Sequence, residues 1–105
     1  MDNTKISSSF MIFKTEAPAY SDAWMKLVQE LSQANALDPK TTALAYVSLL
    51  AVLNLESGIP FHVVEAKKTG ATREEIISAI LLGLPLAGNQ VIKTLPIALK
   101  TFDES

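Results

Sequence analysis

The chain has 105 residues, a formal net charge of −2 and no cysteine, and 49% of its residues are hydrophobic. At this length one domain is expected, burying about 60–65% of the surface its unfolded chain exposes. Nine basic against eleven acidic residues with no basic block argue against nucleic acid as a partner. The lack of cysteine excludes thiol catalysis, disulfides and thiolate metal sites.

Residues 1–10 lack the long apolar core of a signal peptide. The longest apolar stretch, residues 79–88, is interrupted by Gly83 and Pro85 and is too short to span a bilayer. A cytoplasmic protein without membrane contact is therefore expected. Residues 1–16 read as an irregular N-terminal arm, with Ser7-Ser8-Ser9 turn-like and Phe10-Met11-Ile12-Phe13 an apolar patch that docks at home or on a neighbouring subunit.

Residues 17–105 read as a single helical domain. A first helix opens near Pro18, which suits a first-turn position because its missing N–H has no partner there anyway. Trp24, Leu27, Val28 and Leu31 follow at i, i+3, i+4 and i+7, one apolar stripe. Asp38-Pro39 is a second start signal, and the uncharged residues 41–53 beyond it are apolar all round, the mark of a helix buried on most sides. Within that helix Ser48 is expected to bond the carbonyl one turn back, and Tyr46 needs a partner for its hydroxyl if it is covered.

A polar break over residues 54–62 carries the opening of a helix at Pro60 and, at its end, His62, the only histidine. Gly70 is read as its left-handed cap, with Lys67 and Lys68 in the last turn against the negative end of the helix dipole. Thr72-Arg73-Glu74-Glu75 is a capping box that starts the next helix, and Gly83, Pro85 and Gly88 should kink or end it. Residues 89–102 are helical in pattern, with a kink or restart at Pro96, and residues 103–105 should fray. The class is all-α, four to five helices in antiparallel hairpins. Two apolar runs need more cover than so small a domain supplies, so a homo-oligomer is expected.

Taken together, Leu37-Asp38-Pro39-Lys40-Thr41, the run from His62 through Ala66 to Gly70-Ala71-Thr72-Arg73-Glu74-Glu75-Ile76, and Ala87-Gly88 resemble the carboxymuconolactone decarboxylase and alkylhydroperoxidase D-like family. The resemblance implies intertwined helical hairpins assembled as a homotrimer or homohexamer. Peroxidase members carry Cys-x-x-Cys-x-x-x-His and a glutamate early in the second helix. Here the cysteine positions hold Leu55 and Gly58 and the glutamate position holds Ala43, so no thiol peroxidase activity is expected.

The decarboxylase branch does without the cysteine pair and keeps a histidine at this place. It implies cofactor-free acid–base chemistry on a small organic acid or lactone, with His62 as acid–base residue and Glu56 or Tyr46 as helper. The first turn of a helix disfavours the imidazolium and leaves His62 a neutral base.

Each of these residues has a plainer reading: His62 a satisfied core or interface residue, Glu56 a solvated loop carboxylate, Tyr46 a core ring with a wet tip. His62 and Glu65 stand at i, i+3, but one histidine without cysteine does not make a metal site, and no metal or cofactor is expected. Asn89, Gln90 and Lys93 could line a pocket mouth, although a cap and surface positions explain them as well. The alternative to an enzyme is a family member without catalysis that serves as a binding or assembly module.

Overall fold

The computed structural model describes residues 6–105, which hold no strand. Residues 1–5, part of the expected arm, lie outside the described residues. The chain divides into two compact units, one ending at Leu37 and one running from Asp38 to Ser105.

The first unit corrects the reading of residues 1–16 as irregular. Ser8–Glu16 is a helix, α1, whose N-cap is Ser7. The Ser7 hydroxyl accepts from the Phe10 N–H at 3.2 Å, so the serine run that suggested a turn is a helix start. Phe10 and Phe13 meet edge to face at 5.9 Å on one side of α1. Ala17, in a non-helical conformation, turns the chain into α2 (Pro18–Ala34), with Pro18 in the first turn as its missing N–H allows. The stripe of Trp24, Leu27, Val28 and Leu31 runs along α2 and is exposed.

The second unit is built around α3 (Pro39–Leu53). Asp38 caps it, accepting from the Thr41 N–H and the Thr41 hydroxyl, both at 2.8 Å. Two elements follow the break, a 3-10 turn at Glu56–Gly58 and α4 (Ile59–Lys68), and then come α5 (Arg73–Leu81), the single-turn α6 (Leu84–Ala87), a 3-10 stretch Gly88–Thr94 and α7 (Leu95–Glu104). Helices α4, α5 and the Gly88–Thr94 stretch all pack on α3, and α7 closes over α4 and α5. The core is small-to-medium aliphatic: Val47 and Ala51 of α3, Ile59, Val63 and Ala66 of α4, Ile76 and Ile80 of α5, and Val91 and Ala98 are fully buried.

Each junction has a local cause. Gly70, at φ 99°, ends α4 in a Schellman arrangement, with the Ala71 N–H donating to Ala66 and the Gly70 N–H to Lys67. Thr72 and Glu75 form the expected capping box, Glu75 N–H to Thr72 Oγ1 at 3.1 Å and Thr72 N–H to Glu75 Oε1 at 2.9 Å. The second Glu75 oxygen takes Lys40 at 2.9 Å, tying the start of α5 to the start of α3. Pro96 falls in the first turn of α7, so the restart after Thr94 is the alternative realised.

Three other expectations are corrected. Ser48 donates to the Ala79 carbonyl of α5 instead of bonding within its own helix, because α5 lies close enough to offer an acceptor. Only one face of α3 is buried: Tyr46, Leu49 and Leu53 are 46%, 56% and 64% exposed. The residues read as a fraying tail are held. Arg73 grips the Asp103 carboxylate with two donors at 2.9 and 3.2 Å, and Lys67 donates to the Phe102 and Ser105 carbonyls at 2.8 and 2.9 Å with its ammonium 4.4 Å from the Phe102 ring centre.

End to end, Arg73–Glu104 is long and apolar enough to cross a membrane by length and composition. It is folded into separate pieces at Gly83 and Gly88, and α5 and α7 pack against each other.

Gly83 sits where a side chain would collide with its neighbours: a Cβ there would stand 2.7 Å from Val52 Cγ2 of α3 and 3.1 Å from Val91 Cγ1. Both neighbours are short and branched, so neither can swing away. Gly83→Ala is expected to destabilise the fold by about 1–3 kcal/mol through overpacking, read as a lower denaturant midpoint at unchanged slope.

Candidate functional site

The segment that delivers His62 is set by local backbone chemistry. Asn54 adopts the left-handed conformation, φ 57°, which asparagine tolerates better than other non-glycine residues. This lets the Leu55 N–H reach back to the Leu50 carbonyl at 2.9 Å and close α3. The 3-10 turn follows, and at Gly58 a Cβ would meet Leu50 Cδ2 at 3.0 Å, so a residue without side chain lets the turn lie against α3. Helix α4 then opens with Ile59, fully buried, and Pro60, and places His62 in its first turn.

His62 is half-buried between two aromatic rings. Tyr46 of α3 lies 5.3 Å away, centre to centre, at an interplanar angle of 67°. Phe61 lies 5.2 Å away at 84°. Both are edge-type contacts, the geometry that ring quadrupoles favour. Among the described residues the imidazole makes no hydrogen bond, and neither does the Tyr46 hydroxyl, which is on the exposed side of α3.

Burial pushes the imidazole below its ordinary 6.5, against the opposing pull of the Glu65 carboxylate. Its position at the positive end of α4 works in the same direction as the burial. Neutral imidazole has one donor and one acceptor nitrogen, so His62 can both take and give a proton.

The structure brings Tyr46 and His62 together and leaves Glu56 apart. Glu56 is exposed in the 3-10 turn, where its carbonyl accepts from the Ile59 N–H, and among the described residues its carboxylate makes no ion pair or hydrogen bond. The carboxylate that acts on His62 is Glu65, one turn further along α4 and 3.6 Å from Lys68. The i, i+3 spacing to His62 was the signal for it. Phe61 had none beyond adjacency. Gln90 donates to the Val52 carbonyl at 3.0 Å, and Asn89 and Lys93 are exposed. Among the described residues no three histidine or carboxylate side chains gather as a metal cluster would require.

An open groove of about 370 Å³ lies on another face of α3, between Thr41, Leu44, Ala45 and Ser48 and, across from them, Glu75, Ser78 and Ala79 of α5 with Leu82 just beyond it. Its size is in the small-molecule range. His62 does not line it, and its one charged wall residue, Glu75, is already engaged by Thr72 and Lys40.

Residues 18–100, spanning the helix start at Pro18, the Asp38 cap, His62 and the capping box, match the model of the carboxymuconolactone decarboxylase family. The chain belongs to the carboxymuconolactone decarboxylase family. Its fold is similar to that of apo-lpg0406, a carboxymuconolactone decarboxylase family protein from Legionella pneumophila, at a TM-score of 0.78 and 27% sequence identity, over 92% of this chain and 87% of that one. None of the curated proteins matches. Of the three positions at which the sequence departs from the peroxidase pattern expected above, Leu55 is exposed, Gly58 lies against Leu50 and Ala43 is buried.

Because folding lowers the proton affinity of His62, the unfolded chain binds the extra proton first as pH falls. The stability that His62 contributes is complete above about pH 6.5 and is lost as pH falls through its lower folded value. Asp38, Glu75 and Asp103, each held below the ordinary carboxylate value by hydrogen bonds to Thr41, to Thr72 and Lys40, and to Arg73 respectively, add a second loss only further into acid. A two-step fall in melting temperature is expected, and His62→Gln should remove the upper step alone.

Proposed function

We propose that this family member is a cofactor-free decarboxylase of a small organic acid or lactone, with His62 as its acid–base residue. The observation that carries the reading is the setting of His62: a half-buried imidazole in contact with two rings, whose nitrogens form no hydrogen bond to the protein among the described residues and whose burial favours the neutral form. In such a reaction the bond to the carboxylate breaks, carbon dioxide leaves, and its electron pair spreads into the unsaturated lactone. A proton must then reach that carbon, and His62 would take it from solvent and deliver it, returning to the neutral form. Tyr46, in ring contact with His62, is favoured as helper over Glu56. With no cysteine in the chain, thiol peroxidase activity is not expected.

A homo-oligomer, trimer or hexamer, belongs to this reading. It is supported by the exposed apolar surface: Leu49 and Leu53 on α3, Leu82 and Leu86 beyond α5, and the α2 stripe are each more exposed than a stable monomer of this size tolerates in number. Light scattering should give a mass of three or six chains, and Leu49→Glu should shift it toward one.

The decisive assay is decarboxylation of lactone acids by wild type and His62→Ala. A loss of kcat/KM of about 10²–10⁴-fold with an unchanged far-UV spectrum is expected, together with a wild-type rate that falls as pH rises through the folded value of His62, which lies below 6.5, because the imidazolium delivers the proton. Equal rates in the two proteins would sink the acid–base role. A second reading, a non-catalytic binding or assembly module, is favoured by one observation: no second titratable group is hydrogen-bonded to His62 among the described residues. An oligomer without activity on any lactone acid would decide for it.

A further inference from the structure

We propose that Phe61 is a positioning residue for His62: its ring and that of Tyr46 hold the imidazole from two sides and fix the plane in which the two nitrogens meet a ligand, with Tyr46 acting through its ring and not its hydroxyl. The inference rests on the reading of His62 as the acid–base residue, but the holding of the ring can be tested without substrate.

The argument is geometric. An imidazole in the first turn of a helix, with no hydrogen bond to either nitrogen, has nothing polar to set its χ2 torsion, which is broad and soft for histidine. Metal-bound and catalytic histidines are normally oriented by a bond to the second nitrogen. Here that bond is missing among the described residues, and two ring contacts at 5.2 and 5.3 Å, at 84° and 67°, stand in its place. They come from different elements, Tyr46 from α3 and Phe61 from α4 itself, so the imidazole is held between a neighbouring helix and its own. Edge-type aromatic contacts of this kind are directional, and rotating the imidazole about χ2 would lose both at once.

The same rings cover the imidazole and contribute to the burial that lowers its proton affinity. No charged group on the packed elements supplies an alternative cause. Helix α3 is uncharged beyond Lys40, which is paired with Glu75. In the 3-10 turn Glu56 makes no ion pair. On α7, Asp103 is held by Arg73, and Lys100 and Glu104 do not act on His62. Helix α4 contributes Glu65, which pulls the opposite way, with Lys68 beside it and Lys67 turned to the Phe102 carbonyl.

Because the protein has a single histidine, one pair of imidazole signals in a carbon–proton NMR spectrum reports on it without assignment. In wild type, cross-relaxation from the imidazole protons to both the Phe61 and Tyr46 rings and a titration midpoint below 6.5 are expected. Phe61→Ala and Tyr46→Ala should each raise the midpoint toward 6.5, while Tyr46→Phe keeps it at the wild-type value. Phe61→Leu, which retains apolar volume and guards against misfolding of the alanine variant, should keep a low midpoint but lose the fixed ring plane. In the lactone-acid assay it should lower kcat by roughly 10- to 100-fold at unchanged KM.

A midpoint in Tyr46→Phe as high as in Tyr46→Ala would assign the effect to the hydroxyl and overturn the proposal. So would Phe61→Leu with undiminished cross-relaxation to the Tyr46 ring and, where the wild type is active, wild-type kcat. If the wild type proves inactive on lactone acids, the proposed enzyme fails while the titration and cross-relaxation still decide the positioning role.

Discussion

An uncharged helix in a chain of this size sets a problem that the rest of the second unit solves only in part. Helix α3 has apolar side chains on every face, and burying one of them, through Ala43, Val47 and Ala51, brings α4, α5 and the Gly88–Thr94 stretch onto it. Those partners must come close, and they do so through small contacts: Gly83 against Val52, Gly58 against Leu50, and Ser48 bonded across to the Ala79 carbonyl. Polar links then fix the register, with Lys40 and Glu75 joining the starts of α3 and α5. What remains of α3 after this packing is the exposed row of Tyr46, Leu49 and Leu53. The candidate site lies at the end of that row.

The position of the site follows from this order of events. Tyr46 is on the face of α3 that the chain does not cover, and His62 reaches it because the break after α3 is short and tightly turned. The turn depends on Asn54 in the left-handed region and on a glycine where the 3-10 segment meets Leu50. The apolar contacts around the imidazole and its position at the head of α4 both favour the uncharged ring. The uncharged form of the ring is thus favoured by packing and helix direction, without a charged partner bonded to it.

Features governed by neighbours in sequence could be read from the chain alone. The Asp38 and Thr72 caps, the Gly70 stop and the restart at Pro96 depend on residues within one turn of each other, and each is where local chemistry puts it. So is His62 in a first turn, on which the functional reading rests. The serine run before α1 misled because serine serves both turns and helix caps. Ser48 and the tail 103–105 misled because their partners, Ala79, Arg73 and Lys67, are 30 or more residues away and no local pattern announces them. Phe61 was hidden for a different reason: adjacent residues of a helix do not ordinarily face each other, so its ring contact with His62 had no sequence signal.

The far end of α4 gives the site its mechanical character. Lys67 binds the last turn of α7, and Ala66 and Lys67 carbonyls are closed by the Gly70 cap, while at the near end Ile59 is sealed in the core and Pro60 stiffens the entry. A helix of three turns anchored at both ends is a strut. The imidazole it carries is mounted on a rigid element and not on a hinged loop, so it cannot close over a visitor. Shape adjustment at this site would have to come from whatever approaches it.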